Sequence, residues 1–284
     1  LLPDDTGAAL IVALWAMLAM ALIVAGIRVL GLRDATLAQA RLEQAQLTAA
    51  ADGMINLTIL RLLDLGAPGH PPTDGMAAQV HFAGVTGEVS VQDQSGAIDL
   101  NQAPGPLLIS LMQSQGVDFD QAQGFADKIQ DWREPGVGRR LNGAKAEDYR
   151  RAGYPYGPRG GRMESVDELR LIMGMTTHLF DALAPALTVV SQNAWPDPAV
   201  APPVVLRALA GMDDARIEAI EAARQARLAA APDGSLTDTQ APPTLGRAFA
   251  IGVRIAGRTA GVQRHALFRL TGIPAAPLVI YAWR

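Results

Sequence analysis

Apolar positions along the chain fall into three regimes. The first is unbroken. From Thr6 to Ile27 there is no charged residue, and apolar side chains would occupy every face of a helix formed there. At about 1.5 Å per residue this run spans roughly 33 Å, which matches the ~30 Å hydrocarbon core of a bilayer. A cleaved signal peptide and a buried core helix are the alternatives. A signal peptide has a shorter apolar core followed by a small-residue cleavage site, whereas here the run passes into more helix-forming sequence, so a transmembrane anchor is expected. The second regime is periodic. Arg28 to Leu65 holds no proline and only two glycines, Gly31 and Gly53, while Leu37, Ala40, Leu47, Met54, Leu57, Leu60 and Leu63 recur near helical spacing. Ala35–Ala51 is rich in the strong helix formers Ala, Leu, Gln and Glu. Together the two regimes predict a single helix of about 55 residues, ending near Gly66-Ala67-Pro68-Gly69.

The third regime mixes strand and helix patterns. Val80–Leu100 alternates as short strands, with Glu88, Ser90 and Gln92 between Val89 and Val91 and a turn at Gln94-Ser95-Gly96. Ala248–Ile255, Val262–Leu270 and Leu278–Trp283 read as three antiparallel strands separated by Gly-containing turns. Between these β regions the pattern is helical. Pro104–Ser114 is one helix, Asp118–Trp132 a second with Asp118 or Asp120 as N-cap, and Ser165-Val166-Asp167-Glu168 is a capping-box pattern opening a third. Ala199–Pro203 and Ala231–Leu245 read as loops. The helical region repeats itself. Leu169–Met175 followed by Ala182-Leu183 has the same spacing as Leu206–Met212 followed by Ala219-Ile220. Each unit reads as helix, Gly C-cap, tight turn, helix, similar to a helix-hairpin-helix. The predicted class is therefore α+β: a long N-terminal helix packed on a small antiparallel sheet, with a large inserted all-α domain containing helix-hairpin-helix-like units.

Composition narrows the chemistry. Basic and acidic residues nearly balance, 24 against 28, which argues against a protein built mainly to bind phosphate backbones. A membrane-anchored DNA-binding or uptake receptor using the two hairpins remains the alternative function. Its turns carry Met175-Thr176-Thr177 and Met212-Asp213-Asp214 in place of lysines, and the Asp pair would repel phosphate. Cysteine is absent, so thiol catalysis, thiolate metal sites and disulfides are excluded. His70, His81, His178 and His265 show no metal-ligand spacing and read as surface or loosely packed side chains. No nucleophile-elbow or Walker pattern is present. Gly136-Val137-Gly138 lacks the strand and the Lys-Ser/Thr ending of a phosphate loop and reads as a surface loop. No enzyme activity is expected.

The start of the chain resembles the type IV pilin-like class. In that class a prepilin peptidase cuts after a glycine directly preceding the apolar run. Gly7 matches it, and Ala8 would be the first mature, N-methylated residue. Further stretches narrow the resemblance to the minor pseudopilin K of the type II secretion system (general secretion pathway protein K family). They are Ser90–Asn101, Lys128–Trp132, Asn142–Tyr149, Tyr154–Pro158, Ser165–Arg170 and Met173–Thr176. The resemblance runs from about Gly7 to about Ala223 and continues weakly beyond.

Pilin-like chains commonly carry a Glu five residues into the mature sequence, paired with the N-terminal amine of the subunit above; here that position is Val12. An unpaired carboxylate in lipid costs several kcal/mol, so its loss fits a subunit with nothing stacked above it. The resemblance implies a tip complex with I- and J-type minor pseudopilins and contact with the major pseudopilin. It also implies processing by prepilin peptidase, a basic leader ahead of Leu1, and a single-pass inner-membrane chain with its bulk in the periplasm. Bound calcium is associated with the family, with Asp131, Glu134, Glu147 and Asp148 as candidates; solvated charges beside a buried Trp are the equal alternative. The expected division is a leader remnant at 1–7, a transmembrane part at 8–32 and a pseudopilin α/β part at 33–103. An inserted helical domain at 104–235 follows, and 236–284 supplies the C-terminal strands completing the sheet.

Overall fold

The computed structural model describes residues 6–64, 70–230, 245–258 and 260–284, with the side chains of 6–9, 25–36 and 230 outside that description. Helix α1 (Thr6–Leu63) runs without a break for 58 residues. Its second half buries Leu47, Ala50, Ala51, Met54, Ile55, Ile59 and Leu62, a stripe spaced by three and four residues that faces one direction. Its first half buries nothing described: Leu10 to Val24 are all exposed. That described run covers only about 22 Å of helix, and among the described residues no helix is long and apolar enough to cross a membrane. The side chains of the rest of the expected span, and the turn expected at 66–69, lie outside the described residues.

The stripe on α1 sits on a five-stranded antiparallel sheet in the order β1-β2-β5-β6-β7. The strands are β1 (Asp74–Phe82), β2 (Val85–Asp93), β5 (Ala248–Ile255), β6 (Val262–Leu270) and β7 (Leu278–Trp283). The three C-terminal strands take the bounds their alternation predicts. On the face toward α1, Val89 pairs with Val253, Val91 with Ile251, and Phe249 with Phe268. The opposite face is polar, with Glu88 opposite Arg254 at 3.5 Å. Ala83 and Gly84 both have positive φ, the conformation of a two-residue type I′ hairpin joining β1 to β2. Two glycines set how near the helix lies. A Cβ on Gly53 of α1 would sit 2.2 Å from the Phe82 ring, and one on Gly87 of β2 would sit 2.8 Å from the Met54 sulfur. Asp52 of α1 then pins the far strands, accepting from Arg264 Nε and Trp283 Nε1, each at 3.0 Å.

Between β2 and β5 the chain leaves the sheet and builds a second core. It contains β3 (Ile98–Asp99), α2 (Gly105–Ser114), α3 (Phe119–Arg133), α4 (Ala146–Arg151), α5 (Thr177–Leu183), β4 (Leu187–Thr188), α6 (Pro203–Ala208) and α7 (Asp214–Ala230). The insert is mainly helical but not all-α: β3 and β4 pair in parallel, Ile98 with Leu187 and Asp99 with Thr188. Two-residue strands leave too little alternation to show as strands in the pattern. Asp118 caps α3 as expected, accepting from the Asp120 and Gln121 N–H groups. The capping box at Ser165 does not close. Ser165 accepts from the Asp167 N–H, the segment Val166–Leu171 winds as a 3-10 helix, and Glu168 turns elsewhere. The 37-residue repeat is present in three dimensions. Gly174 and Gly211 both have positive φ, Met175 and Met212 donate to Ile172 and Leu209, and Thr176 and Asp213 cap the helix that follows.

Candidate functional site

The stretches that resemble the K family converge on the insert, where they hold the chain together. Asp99, fully buried, accepts from the Asn101 and Gln192 N–H groups and from Ser191 Oγ at 2.8, 2.7 and 3.2 Å. Asn101 bridges two distant loops: its amide donates to Met163 O and Val189 O, and its Oδ1 accepts from the Met163 N–H at 2.7 Å. Arg133 donates to the carbonyls of Leu100 and Ala103. Asp99 and Asn101 lie in the Ser90–Asn101 stretch, but the sequence alone gives them no role. The partners of Asn101 lie 62 and 88 residues away, and no local pattern carries that information.

Trp132 is the second anchor. It lies among Tyr149, Tyr154 and Tyr156, the three tyrosines and the indole forming tilted and edge-on pairs with ring centroids 5.4–6.5 Å apart. Such geometry favours the ring quadrupoles. Burial pushes the Tyr149 phenol up to about 12, against the Met173 N–H that donates to its oxygen. The indole Nε1 donates to Glu168 Oε2 at 3.1 Å. Burial disfavours the charge on Glu168, but the hydrogen bonds from the Glu164 N–H and Trp132, with the charge of Arg159, outweigh it and hold the carboxyl below its ordinary range. The cluster clamps the Tyr154–Pro158 strap onto α3.

The four candidate metal ligands are each turned toward a cation of the chain. Asp131, with a fully buried side chain, accepts from Arg140 Nη1 at 2.9 Å and from the Arg140 N–H at 3.2 Å. Glu134 accepts from Arg140 Nη2 at 2.7 Å, and this bond lowers its pKa. Lys145 Nζ donates to the carbonyls of Asp131 and Glu134 at 2.8 and 3.0 Å. Glu147 meets Arg150 and Arg151, and Asp148 meets Arg139 while accepting from the Lys145 N–H. Calcium requires about six or more oxygens converging on one point. Among the described residues no group of three or more acidic or histidine side chains is placed to hold a metal. Arg140 and Lys145 occupy the positions from which the carboxylates and carbonyls of this loop can be bridged.

The histidines divide. His70 is buried, with Nδ1 3.3 Å from Arg61 O, in place of the surface or loosely packed position expected, because it closes the end of α1. His81 Nδ1 lies 2.6 Å from Thr86 Oγ1. Neither has a second histidine or acid in a ligand arrangement. Gly7 and Ala8 fall in the first turn of α1, and their surroundings lie outside the described residues. Val12 is exposed on the free half of the helix. The second hairpin turn presents Asp213 and Asp214 beside Gly211, and the DNA-binding reading is not favoured.

The geometry is that of a scaffold: a long helix laid on an antiparallel sheet, its residues 10–24 exposed, with a helical body inserted between strands. Residues 86–192 match the family of the type II secretion system (T2SS), protein K, first part. The chain also shares its fold with a chain of the GspK-GspI-GspJ complex from the type 2 secretion system of enterotoxigenic Escherichia coli, at a TM-score of 0.57 and 12% identity. That likeness covers 87% of this chain and 98% of the other. No curated protein matches the sequence significantly. The family match and the shared fold together support the assignment as a minor pseudopilin of K type, a minor component of the pseudopilus.

Proposed function

We propose that this chain sits at the tip of the type II secretion pseudopilus, where it joins I- and J-type minor pseudopilins and helps to start fibre assembly for protein export across the outer membrane. The observation that carries the reading is the protein K match over 86–192 within a fold whose long helix leaves residues 10–24 exposed. In this reading residues 8–32 are the single inner-membrane span, 33–103 and 236–284 form the pseudopilin body, and 104–235 is an insert too bulky for the interior of a fibre. The bulk of the chain is periplasmic. Prepilin peptidase cuts after Gly7, Ala8 becomes methylated, and α1 passes from membrane anchor to packing element beside the major pseudopilin. Val12 removes the need for a partner above. The role is assembly without catalysis.

Two measurements test this. The full chain is expected to co-purify with the I- and J-type minor pseudopilins of the same secretion system; failure to co-purify with any pseudopilin opposes the tip position. Mass spectrometry of the mature chain is expected to find N-methylated Ala8 at the N-terminus. An intact Gly7–Ala8 bond in cells with active prepilin peptidase opposes pilin-type processing and leaves an ordinary single-span protein.

A further inference from the structure

A cavity of about 390 Å³ opens at the seam between the sheet and the insert, a volume within the ~300–1,000 Å³ of small-ligand sites. Arg247, just before β5, and Arg269 of β6 line it together with Ser95 and the turn after β4, Gln192-Asn193. That turn is held rigidly. The buried Asp99 accepts from the Gln192 N–H at 2.7 Å and from Ser191 Oγ at 3.2 Å, and Ser191 Oγ accepts from the Asn193 N–H at 3.3 Å. Gln192 is kept at a φ of 65°, a left-handed conformation that a non-glycine residue retains only where its surroundings enforce it. Yet the side-chain amides of Gln192 and Asn193 are exposed and make no hydrogen bond among the described residues. Trp195 follows. It lies between Asn193 and Asp197, whose N–H donates to Ser95 O at 2.8 Å, which puts it at the rim of the cavity, and it is 59% exposed.

Charge selects against an ionic ligand. Arg247 Nη1 donates to Asp93 Oδ2 at 2.8 Å and lies 3.8 Å from Asp197 Oδ2. Arg269 spends its donors on neutral acceptors, Gly246 O, Val190 O and the Tyr281 phenol oxygen. With Asp99 bonded to Ser191, three acids stand around two guanidinium groups, so the cavity does not concentrate phosphate or carboxylate. The acids are themselves committed, Asp93 to Arg247 and the Ser95 N–H, Asp99 to three donors, and the guanidinium groups repel cations. What remains free is neutral. The two amides both donate and accept, as the hydroxyls of a sugar do, Arg247 Nε and Nη2 are unused donors among the described residues, and an indole offers a flat apolar face to the C–H side of a pyranose ring. We infer that this cavity is a carbohydrate site. Its ligand is a neutral glycan of pyranose rings, with one ring stacked on Trp195 and its hydroxyls bonded to Gln192, Asn193 and Arg247.

The test is calorimetric titration of the full chain with chitotriose and with cellotriose, in micelles of a detergent without a sugar headgroup. Saturable binding of at least one trisaccharide is expected, with a blue shift of tryptophan emission. Trp195→Ala and Asn193→Ala, both at exposed positions, are each expected to weaken binding about tenfold or more. Trp195→Phe is expected to keep binding while losing the emission shift. Leu141→Lys, an exposed position that lines no part of this cavity, is expected to bind as wild type does. Melting temperatures of the variants separate lost binding from lost fold, and Asn193→Ala decides should Trp195→Ala fail to fold. Absence of binding by both trisaccharides at millimolar concentration overturns the proposal, as does binding that Trp195→Ala and Asn193→Ala both retain. Binding of inorganic phosphate or succinate in place of the sugars also overturns it, and assigns the cavity to an anion.

Discussion

Arg140 holds two carboxylates at once, and the loop it closes depends on a missing side chain. A Cβ on Gly143 would lie 1.9 Å from Asp131 Oδ2 and 3.2 Å from Arg140 Cβ. Gly143→Ala is therefore expected to displace the Asp131–Arg140 pair and lower stability by about 1–3 kcal/mol, measured by denaturant unfolding. Asp131→Ala is also expected to destabilise, by about 1–3 kcal/mol, because Arg140 loses its buried acid and keeps only the more exposed Glu134. Added calcium or a chelator is expected to leave the melting temperature unchanged, since the chain's own cations already hold these acids. Glu168 gives a prediction in pH. Its folded pKa lies below the unfolded value, so its contribution is complete above the ordinary Glu pKa of about 4.3 and is lost as pH falls through the lower folded value. Glu168→Gln is expected to lower stability at neutral pH and to flatten the acid limb of the stability profile. An unchanged acid limb would remove Glu168 from this role.

At the scale of elements, each major junction is fixed by one buried charge or one close approach. Helix α7 is held to β1 and to the 198–201 segment by Arg224. It donates to Ala199 O and Ala201 O at 2.9 Å each, while its Nε, 3.6 Å from Asp74, makes no hydrogen bond. Arg224 and Asp74 are both buried. Asp74→Ala removes the buried acid beside the guanidinium, leaving only the weaker influence of Glu221, and is expected to cost about 3 kcal/mol. It is also expected to raise hydrogen exchange in α7 before the rest of the insert; uniform exchange would contradict the junction. The alternation of β5, β6 and β7 and the periodicity of α1 were legible because each element buries one face against a single partner layer. The capping box at Ser165 failed for a tertiary reason: Glu168 is drawn to Trp132 and Arg159, which outcompete the local cap.

At the scale of the molecule, two cores lie on one chain, one between α1 and the sheet and one inside the insert. Residues 10–24 of α1 belong to neither. Because Leu10 to Val24 are exposed, deleting residues 6–24 is expected to leave the melting temperature within a few degrees of wild type while abolishing membrane attachment and pseudopilin co-purification. A large loss of stability would mean that this segment packs on the body.

Residue pattern alone determined the long helix, three of the five sheet strands, the helical insert and its 37-residue repeat, because these follow from local periodicity and from glycines that must take positive φ. It also carried the family resemblance. Only the tertiary structure decided what the candidate residues do. Whether Asp131 and Glu134 face a cation of the chain or converge on a metal depends on where Arg140 and Lys145 arrive from the following loop. Whether His70 is exposed depends on how the chain closes the end of α1. How the β1 edge is covered depends on α7, whose Arg227 returns to Asp74 from 153 residues further along the chain. Contacts of that span are set by packing and long-range pairing, and no window of sequence contains both partners.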